Sequence, residues 1–310
     1  MSEVSSTQAW IQAARLRTLP LASAGIIMGT ALASFLVKLN WLVAALALLT
    51  AIALQVLSNF ANDLGDFQKG TDNEDRVGPE RALQSGAISE AAMKRAVIIT
   101  AIISLGLGLS LLRQVFGAAF FKPLPLILLG WGLAGIMAAV KYTVGKSAFG
   151  YHGLGDLVVF LFFGLTGVCG AFVLQTGMLD PLILLPASGI GLFSAAVLNL
   201  NNMRDIENDK SQGKITLAVR LGFENAKTYH ACLVLAGWLL ITIFWILNLG
   251  EPLTLIIFIP GAIFAIHLKF AIGNDKPAAF DPELKKVALA TLALAIAFAI
   301  LAWLKVIYLS

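Results

Sequence analysis

Two segments of the chain combine asparagine and aspartate at spacings that a helix would place on one face. The first contains Asn59, Asn62, Asp63 and Asp66, and the second contains Asn201, Asp205, Asn208 and Asp209. Residues three or four positions apart are neighbours on a helix, so each set predicts a stripe of carboxylate and amide oxygens. We call these two sets the first and second acidic stripes.

A cation is required if the two stripes face one another. Carboxylates that share a site repel and raise each other's pKa values unless a positive charge lies between them. Oxygen ligands without a nearby thiol or imidazole favour Mg²⁺, which proteins usually hold with a few carboxylates and the phosphates of a substrate. The predicted magnesium ligands are Asn62, Asp63, Asp66, Asp205 and Asp209, with Asn59 and Asn201 as possible further members.

Basic residues accompany both stripes. Arginine forks and lysine ammonium groups are the side chains that proteins use to bind phosphate. The candidate diphosphate-binding residues are Lys69, Arg76, Arg81, Lys146, Arg204 and Lys214. Carboxylates, metal and bases together predict a site for a magnesium-bound diphosphate. A simpler interpretation, in which asparagine and aspartate only cap helices at the water boundary, accounts for single residues but not for two matching stripes.

A third polar segment runs from Lys141 to Asp156 and joins two apolar runs. Its four glycines permit tight turns or a close approach of the backbone. Lys146 is placed to meet a phosphate, and Asp156 begins the next apolar run, where it is placed to orient a hydroxyl group. The alternative is a turn followed by an N-cap aspartate.

Membrane-spanning helices are the elements that must position these residues. Of 310 residues, 58% are apolar and 13% charged, with a mean hydropathy of +0.85, whereas about 25% of a soluble domain is charged. A span needs about 20 apolar residues. Nine apolar runs approach that length, at 18–37, 41–61, 96–112, 124–140, 157–179, 181–200, 231–249, 252–268 and 287–304. Because these runs are too long for barrel strands, we predict an all-α bundle of nine transmembrane helices, with cytoplasmic loops capping the active site.

The basic residues also predict the orientation in the membrane. With the N-terminus in the cytoplasm, 18 of the 22 lysines and arginines fall on the cytoplasmic side and 4 on the other, as the positive-inside rule requires. The C-terminus then lies on the opposite side. The net charge of +4 is therefore a topology signal and does not indicate a nucleic-acid partner. His152, His230 and His267 are predicted to lie singly at the edges of spans.

A single domain is predicted over residues 1–310. Each acidic stripe follows an apolar run and precedes a loop that contains glycine, lysine and threonine. This similarity indicates possible tandem four-helix halves at about 18–150 and 155–270, with a ninth helix at 287–304.

Residues 59–86, 150–164 and 199–222 closely resemble a known group of proteins, the membrane prenyltransferase superfamily that makes the side chains of ubiquinone, menaquinone, haem O and chlorophyll. Within it, they are similar to the 1,4-dihydroxy-2-naphthoate polyprenyltransferases of menaquinone biosynthesis. The resemblance runs through most of the chain. It implies that Mg²⁺ held by the two stripes binds the diphosphate of an all-trans polyprenyl donor.

The resemblance also implies roles for residues outside the stripes. Asp72 becomes the last member of the first motif, whereas the commoner spacing of the superfamily would use position 70, which is Gly70 here. Tyr142 and Lys146 match a pattern of tyrosine followed by a basic residue, although Thr143 stands where proline is usual. Lys141, Tyr142 and Asp156 are the implied candidates for acceptor binding or for a base.

The implied reaction ionises the donor to an allylic cation, which the electron-rich naphthoate ring attacks with loss of CO₂. Loops 67–92 and 206–227 would exclude water from the cation. The resemblance places the chain in a bacterial inner membrane, with the bilayer and two substrates as partners and no protein partner implied. Two alternatives stay open: another acceptor such as 4-hydroxybenzoate, and a cation-coupled transporter. Transporter sites lie near the bilayer midplane, whereas these stripes lie at span ends.

Overall fold

The computed structural model describes residues 6–74, 76–248 and 252–308, and these ranges contain helices and no strand. Nine helices in them are long and apolar enough to cross a membrane. They are α1 (Thr7–Ala33), α2 (Trp41–Gln68), α3 (Glu90–Ala119), α4 (Pro123–Lys141), α5 (Gly155–Thr176), α6 (Pro181–Arg204), α7 (Phe223–Asn248), α8 (Leu255–Gly273) and α9 (Pro277–Ala302). The predicted all-α architecture of nine spans is confirmed, and the chain is an integral membrane protein. The predicted end of the seventh span, at residue 249, lies outside the described residues.

Helix α2 is longer than its apolar run, and the extra turns carry Asn62, Asp63 and Asp66 of the first acidic stripe. The side chain of Asn40 caps its start by accepting hydrogen bonds from the backbone N–H groups of Leu42 and Val43. The helix continues to Gln68, beyond the predicted end of the span at residue 61. Gly70 follows with a φ of +75°, a left-handed conformation that glycine adopts without steric cost.

The first span also begins before its apolar run. A helix at Ser6–Ala13 and a 3₁₀ turn at Leu16–Thr18 precede the main helix, Leu19–Ala33. Between them, Arg15 has a φ of 50°, and it is the only non-glycine residue with a positive φ in the described ranges. Such a conformation costs about 1–3 kcal/mol and persists only where surrounding contacts hold it. The contacts of Arg15 lie in the site described below.

Helix α6 lies at the centre of the bundle and packs against α5, α7 and α9. The ring of Phe193 on α6 lies 4.5 Å from that of Phe264 and 5.7 Å from that of Trp238, between ring centroids. One end of the bundle, which we call the loop end, carries four connections, of which the one between α8 and α9 (274–276) is short and the other three are long. The long ones are the first loop (69–89), the middle loop (142–154) and the second loop (205–222).

Glycines allow α1, α5 and α6 to approach closely. A Cβ atom on Gly29 of α1 would lie 2.1 Å from the carbonyl oxygen of Val168 on α5. On the other side of α5, a Cβ atom on Gly164 would lie 2.5 Å from the Cα atom of Gly191 on α6. Small residues serve this purpose in membrane helix pairs, because lipid provides no hydrophobic force between helices.

The prediction that the histidines lie singly at span edges is wrong for two of them. His230 on α7 and His267 on α8 are fully buried, and their Nε2 atoms are 2.7 Å apart. Nδ1 of His267 lies 2.5 Å from Glu283 Oε2, and Lys286 Nζ lies 2.5 Å from Oε1 of the same carboxylate. Only the tertiary packing of α7, α8 and α9 brings these residues together. Their mutual hydrogen bonds offset the free-energy cost of burying polar groups.

Replacing Gly29 with alanine should destabilise the protein. The added methyl group would overlap the backbone of α5, and overpacking of this kind costs about 1–3 kcal/mol. Gly106→Ala on α3 is the matched control, because a Cβ atom there meets nothing within 4 Å. Thermal unfolding in detergent should show a lower midpoint for Gly29→Ala and an unchanged or slightly higher one for Gly106→Ala. Equal midpoints would contradict the close packing of α1 on α5.

Candidate active site

The first acidic stripe is buried at the loop end of α2. Asp63 forms an ion pair with the guanidinium of Arg15, and its Oδ1 lies 3.6 Å from Nε of Arg81. With its amide oriented to satisfy both neighbours, Asn62 donates to Oδ2 of Asp66 at 2.8 Å and accepts from Nη1 of Arg15 at 2.9 Å. The stripe therefore faces the protein interior.

Lys214 of the second loop joins the two stripes. Its Nζ lies 3.3 Å from Oδ2 of Asp66 and 3.6 Å from Oδ1 of Asp209. Burial alone would lower the pKa of Lys214, but the two carboxylates outweigh that effect and raise its pKa above the ordinary value. Carboxylates of both stripes thus meet on one ammonium group, and the stripes face one another.

The spacing of the second stripe predicts that it lies on one continuous helix, and this prediction is wrong. Helix α6 ends at Arg204, Asp205 has a ψ of 14°, and a short helix begins at Ile206. The side chain of Asp205 pairs with that of Arg204 at 2.5 Å (Oδ2 to Nη2). Consecutive residues of a helix do not face each other, so this pair requires the backbone to leave the helix. Arg76 Nη2 and the backbone N–H of Gly78 also contact Asp205, each at 3.3 Å.

Burial changes the ionisation of the carboxyl groups in both loops. It raises the pKa of Asp72 to about 6 and the pKa of Asp209 to about 6. Burial also disfavours the ionised form of Asp205, but hydrogen bonds from Arg204 outweigh it and hold the pKa of Asp205 below its usual value. Nε of Arg76 lies 3.3 Å from Oδ1 of Asp72. Because Arg76 contacts both Asp72 and Asp205, it ties the first loop to the second stripe.

The oxygen atoms of this cluster have the chemistry that Mg²⁺ requires. Four of them are buried without a hydrogen-bond partner: Oδ2 of Asp63, Asp72 and Asp209, and Oδ1 of Asn208. Buried polar atoms are normally paired, and hard carboxylate and amide oxygens suit Mg²⁺. In the described part of the chain, no three histidine, cysteine, aspartate or glutamate side chains are arranged to hold a metal together. Lysine and arginine groups lie among the carboxylates instead, so the donors fit the metal only after those bases move.

Three predicted diphosphate or acceptor residues lie at the edge of this cluster. Lys141 and Lys146 are exposed, and within the described residues neither forms an ion pair with a stripe. Lys69 is half-buried, and its Nζ lies 3.7 Å from the centre of the Tyr151 ring. The role of Lys146 in phosphate binding and that of Lys141 in acceptor binding stay predictions.

The remaining predicted residues lie closer to the membrane. Asn59 donates to the carbonyl oxygen of Ala14 at 2.8 Å, and Asn201 accepts from Nη2 of Arg204 at 2.9 Å. Tyr142 is half-buried beside them, and burial raises the pKa of its hydroxyl above the ordinary value. Asp156 is buried, and its Oδ1 has no hydrogen-bond partner.

A cavity of about 390 Å³ extends from the cluster into the bundle, and residues of all six helices from α1 to α6 line it, together with Leu284 of α9. This size suits a small-molecule site. Its polar end is lined by Arg15, Asn59, Asn62, Tyr142 and Asn201. Leucine and phenylalanine side chains, such as Leu109, Leu133 and Phe162, line much of the remainder. The arrangement provides charge at one end and a mainly apolar surface beyond it.

Sequence reasoning did not assign Arg15, Tyr151 or Asp281 to the site. Arg15 enters the sequence prediction only as one of the 18 basic residues on the cytoplasmic side, yet it pairs with Asp63 and lines the cavity. Asp281 at the start of α9 lies 2.5 Å from Nη1 of Arg204 and 3.2 Å from Nη1 of Arg17, measured to its Oδ1. These residues are far from the stripes in sequence and match no spacing. Two signals were available: Arg15 and Arg17 precede the first apolar run, and Tyr151 lies in the segment 150–164 that carries the resemblance.

Replacing Lys214 with methionine should destabilise the protein, because the carboxylates of the two stripes would then repel one another without a cation between them. Breaking a buried ion pair typically costs about 3–5 kcal/mol, because the remaining charge is uncompensated. Thermal unfolding should show a lower midpoint, and added Mg²⁺ should raise that midpoint more than it raises the wild-type value. Lys210→Met is the matched control, because Lys210 is exposed in the same loop. Equal effects of Mg²⁺ on wild type and Lys214→Met would contradict a metal site between the stripes.

Known proteins resemble this chain in sequence and in fold. The 1,4-dihydroxy-2-naphthoate octaprenyltransferase of Escherichia coli (strain K12) is 43% identical over 284 residues, which cover 92% of this chain and 91% of that protein. The apo structure of a UbiA homolog from Aeropyrum pernix K1 has a TM-score of 0.67 at 17% identity, covering 92% of this chain and 98% of that one.

A second solved structure is that of a UbiA homolog from Archaeoglobus fulgidus bound to DMAPP and Mg²⁺. It has a TM-score of 0.57 at 17% identity and covers 92% of this chain and 98% of that one. The sequence pattern of the UbiA prenyltransferase family matches residues 22–281, which include both acidic stripes and the middle loop. The chain therefore belongs to the UbiA prenyltransferase family.

Proposed function

We propose that this chain transfers an all-trans polyprenyl group from its diphosphate to 1,4-dihydroxy-2-naphthoate, giving demethylmenaquinol, CO₂ and diphosphate in menaquinone biosynthesis. The observation that carries the proposal is the meeting of both acidic stripes and their bases at the polar end of a largely apolar cavity. The diphosphate matches the charged cluster, and the hydrocarbon tail matches the cavity. The choice of acceptor rests on relatives such as the naphthoate octaprenyltransferase of E. coli. Membership of a prenyltransferase family decides against the cation-coupled transporter.

Donor binding would exchange the partners of the buried charges. The proposed metal ligands are Asn62, Asp63, Asp66, Asp205 and Asp209, with Asp72 beside them. The bases that pair with these carboxylates would turn to the phosphate oxygens, which releases carboxylate oxygens for Mg²⁺. They are Arg76, Arg81, Arg204 and Lys214. Lys69 and the exposed Lys146 are able to approach the phosphate from the first and middle loops. The homolog from A. fulgidus with bound DMAPP and Mg²⁺ supports this type of site.

The reaction would begin with heterolysis of the bond between the allylic carbon and the diphosphate oxygen. The bonding electrons leave with the diphosphate, and the lysine and arginine groups stabilise its growing negative charge. Bound Mg²⁺ supplies further positive charge to the same leaving group. The first and second loops, joined by the ion pair of Arg76 with Asp205, would cover the cluster and limit the access of water to the allylic cation.

The acceptor would lie between the charged cluster and the apolar part of the cavity. Arg15 is the one basic side chain that lines the cavity within the described residues, and its buried Nε has no hydrogen-bond partner. It is suited to orient the carboxylate of the naphthoate, and Tyr142 and Asp156 are candidates to orient its hydroxyl groups. The ring carbon that bears the carboxylate forms the new bond, and cleavage of the bond to CO₂ returns an electron pair to the ring. Because CO₂ leaves in place of a proton, this step needs no catalytic base.

We also propose an orientation and a location. The loop end, with both stripes and most of the basic residues, faces the cytoplasm, and the N-terminus lies on the same side. The C-terminus lies on the opposite side. Bacterial relatives support the inner membrane as the location. The tandem four-helix halves, about 18–150 and 155–270, stay a prediction.

Asp66→Ala and Asp205→Ala should each abolish product formation and leave a folded membrane protein. Each substitution removes a carboxylate from one stripe, so the diphosphate and its metal lose part of their ligand set. Glu207→Gln is the control, because Glu207 is an exposed acid that lies between Asp205 and Asp209 in sequence but does not belong to the second stripe. The measurement is turnover of labelled polyprenyl diphosphate in detergent or membranes, with size-exclusion elution as the test of folding. Near-normal turnover of either alanine variant in excess Mg²⁺ would refute the proposed metal site.

A competition between aromatic acids tests the choice of acceptor. Membranes that contain the protein receive labelled polyprenyl diphosphate together with 1,4-dihydroxy-2-naphthoate and 4-hydroxybenzoate at equal concentrations. We expect the prenylated naphthoate product and CO₂ to dominate, since the relatives at about 43% identity act on the naphthoate by name. Preferential prenylation of 4-hydroxybenzoate would overturn this part of the proposal and leave the prenyltransferase activity intact.

A further inference from the structure

Tyr151 lies in the middle loop, outside both stripes, yet it contacts the first stripe and both of the other loops. Its hydroxyl donates to Oδ1 of Asp66 at 2.7 Å and lies 2.6 Å from Oγ1 of Thr71. A tyrosine hydroxyl has one proton. Because that proton points to Asp66, the Thr71 hydroxyl is the donor in the second bond. The result is a directed chain of hydrogen bonds from Thr71 through Tyr151 to Asp66.

The ring and backbone of Tyr151 contact the loops of both stripes. Nζ of Lys69 lies 3.7 Å from the ring centre, and Nζ of Lys214 lies 5.5 Å from it. Both distances are within the range of a cation–π interaction. The carbonyl oxygen of Tyr151 accepts a hydrogen bond from the N–H group of Ile215 at 3.2 Å. One residue of the middle loop therefore connects the first loop, the second loop and a carboxylate of the first stripe.

These contacts differ from those of an ordinary buried tyrosine. A buried hydroxyl needs only one partner to offset its desolvation, and a backbone carbonyl would suffice. The Tyr151 hydroxyl instead occupies one oxygen of Asp66 and leaves the other, Oδ2, directed at Lys214. The side chain is only 8% exposed, so it also closes the space between the two loops.

We infer that Tyr151 is a positioning residue that latches the first and second loops together and orients Asp66 for diphosphate binding. This inference rests on the proposed prenyl transfer and adds a residue to it. The hydroxyl sets the direction of the Asp66 carboxylate. The ring holds Lys69 and Lys214 close to the place where the diphosphate binds. By keeping the loops together, the same contacts limit the entry of water.

The contacts of Tyr151 that hold the two loops together should affect which products form. In the closed site, the allylic cation forms a carbon–carbon bond with the acceptor ring. If water enters, its oxygen forms a bond to the cationic carbon and loses a proton, which gives a prenyl alcohol and diphosphate. Both routes break the same bond in the donor. The ratio of prenyl alcohol to prenylated acceptor therefore measures how well the loops exclude water.

The test compares Tyr151→Phe and Tyr151→Leu with wild type in purified protein, using radiolabelled donor, Mg²⁺ and 1,4-dihydroxy-2-naphthoate. Loss of a hydrogen bond to a charged group corresponds to about a 10-fold to 100-fold effect. We expect Tyr151→Phe to raise the KM for donor about 10-fold or more and to change kcat less. Tyr151→Leu, which also removes the ring, should further raise the ratio of prenyl alcohol to prenylated acceptor. Tyr229→Phe, which removes the hydroxyl of a half-buried tyrosine on α7, should match wild type in both measurements.

A double-mutant cycle with Thr71→Val separates this role from general damage to the fold. The Thr71 hydroxyl acts on Asp66 only through Tyr151, so Thr71→Val should raise the donor KM in wild type and add little in Tyr151→Phe. Additive effects, or a wild-type KM and product ratio for Tyr151→Phe, would overturn the inference. If wild type itself fails to prenylate the naphthoate, the proposed function fails instead. The two failures are thus distinguishable.

Discussion

Carboxylates that lie close together in a buried site must be neutralised, and this requirement governs the loop end of the protein. The five aspartates of the cluster, Asp63, Asp66, Asp72, Asp205 and Asp209, are each at most 7% exposed. Burying an ionised carboxylate without a partner costs free energy, and repulsion from neighbouring carboxylates increases that cost. The chain supplies the opposite charges from α1, from the end of α6 and from both long loops. The loops are therefore held in place by the same charges that form the site.

This balance also accounts for how a highly charged donor can enter a buried cluster. The bases already lie among the carboxylates, so in the proposed reaction a metal-bound diphosphate would exchange partners with them and leave few charges unpaired. Such preorganisation reduces the cost of binding, because the charged groups are already ordered and desolvated. Arg76 and Lys214 are central to it, since each contacts carboxylates from both sides of the cluster.

The helices position the cluster through close packing of small residues. Glycines let α1 and α6 approach α5, which brings Arg15 and the second stripe to the same end of the bundle. The first six helices surround the cavity, which extends from the charged cluster into the bundle. On the other side of α6, the buried chain from His230 through His267 to Glu283 joins α7, α8 and α9. Polar contacts thus stabilise both the charged cluster at the loop end and the packing of α7, α8 and α9.

The sequence by itself determined the nine spans, their all-helical nature and the two acidic stripes, because hydrophobic length and residue spacing act locally. It did not determine the break at Asp205, because that break depends on a pairing between side chains that a regular helix keeps apart. It also could not identify Arg15, Tyr151 or Asp281, which lie far from the stripes in sequence. Only the tertiary structure decides which base meets which carboxylate, since buried charges pair with whatever partner the packed helices bring within a few ångströms.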